Sequence, residues 1–433
     1  MGENKGNSNN TWLQRLKDES WEAELLVSAI AIFGTFKLFD MIAWVTNFFI
    51  DTLHPSQYFI AYFIVTFGLL AISILAAMFV IHFVLRAYWI GLVGLNSVFP
   101  DYSIEDSAYS KIYTEKILSI LPKLKDSIKK VDELCSVIFS VAFTFLLIYT
   151  YAAIFSSLYL LLFNLLVPYV DAFILLIPAG IIIIGAFTQT ILTFFSNLKM
   201  NKEKEGLQIL NFKLVKFVSI IMFGPLYKNI LQVSMIFGSN FKKKKSIVYL
   251  IFVFVIGGIF MFAVQLKDTN TLHLIAKKNR YDSTRAYADF YKSDNEKNDF
   301  LLTPEIESHK VTSNTLELFI PVYEYELKIR KENCGEYQED DKKSDIEQKE
   351  ARIQHLLDCY KSYNIVSLDG KKLDVEFLRY NNHPRTNQFG LVCYLDLNEI
   401  SKGMHKIKVE KKSYDKNYLE WTIPFYYNFN EKR

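Results

Sequence analysis

Proline and glycine are scarce in this 433-residue chain, at 10 and 17 residues, and cysteine is scarcer still, at four. Such values exclude a collagen-like repeat and a Pro/Gly-rich low-complexity chain. Four cysteines over this length also exclude a small disulfide-stapled scaffold. An excess of one charge sign is missing too: 49 Lys+Arg stand against 46 Asp+Glu, a net charge of +3. That balance lacks the basic footprint of a nucleic-acid-binding domain, so no nucleic-acid partner is expected. With 51% hydrophobic residues the chain can bury a core, which excludes disorder.

Catalytic signatures are absent as well. The sequence has no P-loop, no G-x-S-x-G, no H-E-x-x-H and no dinucleotide fingerprint. The seven histidines (His54, His82, His273, His309, His355, His383 and His405) are scattered, and no pair has ligand spacing. There is no C-x-x-C, and Glu339-Asp340-Asp341 reads as a solvated charge run rather than a cation site. The expectation is a non-enzymatic protein with no cofactor, no metal and no catalytic residues.

Charge is also missing locally, and this absence is the informative one. Residues 1–266 hold 21 Lys/Arg and 17 Asp/Glu, against 28 and 29 in the shorter remainder. Four runs carry no charged residue: Thr52–Leu85, Cys135–Val170, Ala172–Leu198 and Ser246–Leu266. A fifth, Leu25–Ile50, is apolar except for Lys37 and Asp40. A bilayer core about 30 Å thick needs roughly 20 apolar residues per helix. The expectation is therefore an α-helical polytopic membrane bundle with about five transmembrane helices, near 25–50, 58–85, 136–163, 172–196 and 246–266. They would form two tight hairpins and a final anchor. The polar first 24 residues do not fit a signal peptide.

Lys and Arg set the expected orientation. Three lie in residues 1–24, seven in 86–135 and ten in 198–245, whereas loops 51–57 and 164–171 hold none. This predicts a cytoplasmic N-terminus and an extracytoplasmic C-terminal domain in a multi-pass plasma-membrane protein. Segments 86–134 and 198–245 read as cytoplasmic and amphipathic, with Pro122 interrupting the first. Residues 213–240 are apolar but broken by Gly224-Pro225 and Lys228, and are expected to be interfacial or re-entrant rather than spanning.

Several residues of this half are candidate intramembrane polar sites. Lys37 and Asp40 share a helical face and read as a self-neutralising ion pair, as lining charges of an ion path, or as a snorkelling pair. Glu22 and Glu24 lie at the depth of Arg86 on the antiparallel second helix, predicting an interfacial ion cluster of either with Arg86 that clamps the hairpin, with gating or proton sensing through His82, one turn deeper, as the alternative. Gln189 is the one strongly polar side chain of the fourth span, near Pro178, Gly180 and Gly185. The run Lys242, Lys243, Lys244 and Lys245 reads as an orientation anchor facing anionic lipid.

Residues 267–300 read as a linker, and 301–433 as a mainly-β, immunoglobulin-like sandwich with a helical insertion. Strands are expected over Thr315–Ile329, Leu373–Arg379, Phe389–Leu397, His405–Glu410 and Tyr418–Tyr427, and a helix within Glu336–Tyr363. Cys334 and Cys359 bracket that helix as a candidate disulfide, with two free thiols as the alternative. The architecture suggests a scaffold or sensor that binds a periplasmic protein. An oligomeric ion channel or transporter is the alternative, and homo-oligomerisation fits either.

Three stretches, SWEAELLVSAIAIFG (Ser20–Gly34), LRAYWIGLVGLNSVFP (Leu85–Pro100) and LELFIP (Leu316–Pro321), together resemble polytopic inner-membrane proteins of the Bacteroidota that have no assigned activity. The resemblance implies a bacterial inner membrane and a periplasmic domain. It implies no functional residues.

Overall fold

The charge-free runs fold mostly as helix in the computed structural model, as expected of apolar segments that must satisfy their own backbone groups. Described are residues 5–99, 108–167, 169–240, 245–275, 281–282, 284–294, 299–327, 334–338, 344–412 and 418–428. The helices are α1 (Lys5–Thr52), α2 (Tyr58–Val98), α3 (Lys111–Ile120), α4 (Leu124–Leu166), α5 (Ala172–Ser196), α6 (Glu205–Phe223), α7 (Tyr227–Asn240) and α8 (Lys245–Asp268). The chain divides into two compact units: residues 1–42 with 66–268, and residues 43–65 with 269–433.

Among the described residues six helical stretches, not five, are long and apolar enough to cross a membrane: Trp21–Thr52, Pro55–Val98, Lys111–Leu166, Phe173–Ser196, Glu205–Ile236 and Ile251–Asp268. The addition is the stretch expected to be interfacial or re-entrant, which is helical on both sides of a 3-10 turn at Gly224–Leu226. Gly224 adopts φ +48°, a conformation that favours glycine, and a Cβ there would collide with the Tyr151 hydroxyl. Another expectation changes. The segment 86–134 is not one separate amphipathic stretch, because its first residues are the last turns of α2, to Val98, and α4 starts just past Pro122 and runs without a break into the third span.

In the helical unit, Leu75, Met78 and Phe79 of α2 pack with Ile138 and Ala142 of α4 and Phe254 of α8. Two glycines bring α8 close. A Cβ on Gly258 would lie 2.5 Å from Ile74 Cγ1 and 3.0 Å from Ile74 Cα, and one on Gly257 would lie 3.2 Å from Ala77 Cβ. Polar contacts align α5 with α6: Thr193 Oγ1 donates to Asn211 Oδ1 (2.9 Å), and Gln208 Nε2 donates to the Ser196 carbonyl (2.9 Å).

The second unit is strand-rich. One sheet has the order β1 (Glu305–Ile306), β3 (Thr315–Pro321), β7 (Gly390–Asp396), β6 (Leu378–Tyr380). The other has the order β2 (Lys310–Val311), β9 (Tyr418–Tyr427), β8 (Gly403–Lys412), β4 (Asn364–Leu368), β5 (Lys371–Lys372). Both sheets share one core: Leu316, Leu318 and Ile320 of β3 and Leu391, Cys393 and Leu395 of β7 meet Val366 of β4, Ile407 and Val409 of β8, and Trp421, Ile423 and Phe425 of β9. This is a two-sheet domain, and its strand orders do not establish the immunoglobulin-like topology. The helical insertion is α9 (Asp345–Tyr363), opened by a Ser344–Glu347 capping box.

Two strand expectations are corrected. The run Thr315–Ile329 stops as a strand at Pro321, and residues 324–327 form a helical turn. Leu373–Arg379 is strand only from Leu378, and β4 was not anticipated. The stretch 267–300 is no loose linker throughout, because Phe290 and Tyr291 are buried in the shared core.

Residues 43–65, the tip of the α1–α2 hairpin, belong to this strand-rich unit. Asn270 Nδ2 donates to Asn47 Oδ1 (2.8 Å), and the Glu324 amide donates to Asp51 Oδ1 (3.0 Å). The His54 ring meets Tyr325 edge-on at 6.2 Å, and Tyr58 lies 6.4 Å from the His273 ring.

Candidate functional site

The helical unit buries one arginine completely. Arg86 is 1% exposed, although it lies on α2 among apolar neighbours. A buried guanidinium needs anionic acceptors, or the loss of hydration stands uncompensated. Arg86 has two, from two other helices: Nη1 donates to Asp132 Oδ1 of α4 at 2.8 Å, and Nη2 donates to Glu24 Oε2 of α1. The Trp89 ring lies under the guanidinium at 4.8 Å and itself meets Trp21 at 5.6 Å.

His82 sits one turn earlier on α2, fully buried. Its Nδ1 is 2.7 Å from Ser28 Oγ, whose hydroxyl also reaches the Glu24 carbonyl at 2.6 Å. Its Nε2 is 4.0 Å from Glu24 Oε2. The Phe139 ring lies 5.4 Å from the imidazole, and Cys135 of α4 is buried beyond Asp132. One arginine thus ties α1, α2 and α4 together, with a histidine beside it.

The sequence-expected cluster is present in part. Glu24 and Arg86 pair, but Glu22 is exposed and stays out. Asp132 was missed. The depth argument that linked Glu24 to Arg86 applies to it equally, because it precedes the charge-free run of α4 by three residues.

The remaining candidates do not join the cluster. Lys37 Nζ and Asp40 Oδ2 pair at 2.9 Å, but the side chains are 83% and 70% exposed and line nothing inside the unit. Gln189 is half-buried, and its amide oxygen has no partner among the described residues. Lys242, Lys243 and Lys244 lie outside the described residues, and α8 opens at Lys245. Glu339-Asp340-Asp341 also lies outside them.

The strand-rich unit joins Cys334 and Cys359 in a disulfide with Cα atoms 5.7 Å apart, and leaves Cys393 a buried thiol, pushed up to about 12 by burial. Three of the charged clusters among its described residues are built on a buried basic side chain. Lys411 Nζ, buried, donates to Glu326 Oε1 (2.7 Å) and the Pro321 carbonyl (2.8 Å). His383 Nε2 lies 3.0 Å from Glu305 Oε1, and Arg385 also pairs with Glu305. His405 lies between Asp369 Oδ2 (2.6 Å) and the Ser401 carbonyl (2.7 Å). Each cluster is paired internally and reads as scaffolding.

No protein family, curated protein or solved structure matches the chain.

Proposed function

We propose that the chain is a multi-pass protein of a bacterial inner membrane that holds its strand-rich domain outside the cytoplasm and acts as a non-enzymatic scaffold or sensor for a periplasmic protein. One observation carries this reading. The tip of the α1–α2 hairpin is part of the strand-rich unit, through Asn47, Asp51, His54 and Tyr58, so that unit is built from the hairpin as well as from the C-terminal residues. A partner that alters the domain would act directly on that hairpin. The disulfide supports an oxidising compartment. The positive-inside distribution supports the orientation.

Six apolar helices are compatible with five net crossings. The Tyr159 hydroxyl bonds to the Leu175 carbonyl across the α4–α5 hairpin, and counting back along both helices brings Ser196 level with Ile138. Gln208, in the first turns of α6, bonds the Ser196 carbonyl, and Phe254, midway along α8, shares a core cluster with Ile138. On this reading α6 and α7 are a re-entrant pair broken at Gly224-Pro225. The test is the pair Asn47→Ala and Asp51→Ala in the full chain. We expect normal membrane insertion and loss of rescue of a gene-deletion phenotype. Full rescue would count against coupling through the tip.

An oligomeric channel is the second reading. It is favoured by the exposed Lys37–Asp40 pair, which sits among exposed Ile30, Phe33 and Trp44 and would find polar surroundings at a contact with another copy. Ion flux in liposomes that Lys37→Ala abolishes would support it, and absence of flux under any gradient would remove it.

A further inference from the structure

We propose that His82 is a proton-binding site, which takes a proton on Nε2 from the aqueous phase in contact with Glu24 and Asp132 and uses the Glu24 carboxylate as counter-ion. The site is independent of what the strand-rich domain binds.

Hydrogen-bond chemistry sets the ring's starting state. Ser28 has one hydroxyl proton, and the Glu24 carbonyl, 2.6 Å away, can only accept. The Ser28 proton goes there. The contact of 2.7 Å between Ser28 Oγ and His82 Nδ1 therefore needs its proton from the ring. A neutral His82 is the Nδ1–H tautomer, and its Nε2 carries a bare lone pair. That lone pair is fully buried and has no hydrogen-bond partner among the described residues. It faces Glu24 Oε2 at 4.0 Å, the same oxygen that accepts from Arg86 Nη2.

Charge bookkeeping points the same way. Among the described residues, Glu24 from α1, Arg86 from α2, and Asp132 and Cys135 from α4 are the titratable or charged groups that the ring's neighbours bring together. With the thiol neutral, one guanidinium faces two carboxylates, and the cluster is one positive charge short. Charges out of water are stable when paired, and a proton on Nε2 completes the pairing. A route exists as well: His82 and Arg86 are sealed, but the side chains of Glu24 and Asp132 are 15% and 30% exposed. Uptake turns the 4.0 Å gap into a charged contact, so His82 and Arg86 compete for one oxygen of Glu24. The hold of α1 on α2 thereby becomes sensitive to pH on that side.

The test is histidine nitrogen NMR on the full chain in lipid nanodiscs, from about pH 4 to about pH 9, spanning the ordinary imidazole range. The His82 signal is assigned by its loss in His82→Gln. At the alkaline end we expect protonated Nδ1 and bare Nε2, and on acidification a single protonation at Nε2. Glu24→Gln is expected to move that midpoint down by about one pH unit, a roughly tenfold weaker proton affinity. Ser28→Ala, which frees Nδ1, is expected to give mixed tautomers and needs no change in any charged partner. An Nε2–H tautomer at the alkaline end of the wild-type titration would overturn the proposal. So would the absence of Nε2 protonation across the range in folded protein, or a midpoint unmoved by Glu24→Gln.

Discussion

Two histidines of the strand-rich unit behave oppositely because of what their second nitrogen meets. His383 Nδ1 accepts from the Thr386 amide (3.4 Å) while Nε2 faces Glu305, so the neutral ring satisfies both neighbours. Burial, then the nearby Arg385, lowers its proton affinity from 6.5 to about 4. His405 meets an acceptor at each nitrogen. Burial works against its charge, but the Asp369 carboxylate and the Ser401 carbonyl outweigh that and raise it above 6.5. The pH signs follow from linkage. The His383 contribution is full above about 6.5, and is lost as pH falls towards 4, because only the unfolded chain takes the proton there. The His405 contribution is full below 6.5, and is lost as pH rises through the raised folded value. Thermal unfolding of the full chain in detergent should therefore lose stability on both sides of neutrality. Asp369→Asn should remove only the alkaline loss, and an unchanged alkaline slope would contradict the assignment. Lys411→Met should cost roughly 3–5 kcal/mol by leaving Glu326 buried and unpaired, and adding Glu326→Gln should restore part of it. Urea unfolding of the two variants measures the difference.

Elements were legible where their hydrophobic period was clean. Residues 405–411 alternate His, Ile, Val, Lys on the buried face of β8, and β9 was anticipated to the residue. Ile407 and Val409 announced that inward row, but His405 and Lys411 at its ends looked like surface residues, because their burial depends on Asp369 and Glu326 from other elements. Thr315–Ile329 alternates well past Pro321, yet β3 ends where its register with β7 runs out, opposite Gly390. The Arg86 cluster was half legible: depth named Glu24, while Asp132 was absorbed into an amphipathic segment that the structure shows to be the start of α4. Helix packing yields its own prediction. Gly258→Val should push α8 away from Ile74 and cost roughly 1–3 kcal/mol, read as a lower melting temperature. Breaking Cys334–Cys359 by a double Ser replacement should cost roughly 3 kcal/mol in the strand-rich unit. A reductant should produce the same shift in wild type and none in the variant.

For the whole molecule, the orientation rests on charge counting, and reporters can test it. Fusions after Asn197 and Asn240 should report the cytoplasm, and a fusion after Asn270 the opposite side. A cytoplasmic signal at Asn270 would reverse the proposed placement of the strand-rich unit. That unit draws its residues from two distant parts of the chain, 43–65 and 269–433. Synthesis therefore separates them in time. At about 5–20 residues per second, the hairpin tip leaves the ribosome ~10–40 s before the first residues that will cover it. Phe49, Ile50 and Leu53, all buried in the finished protein, lie in that early part. Maturation then has a built-in waiting step. A chain stopped at residue 268 would keep its helices but carry an uncapped apolar tip, and the C-terminal residues made alone would lack part of their own unit.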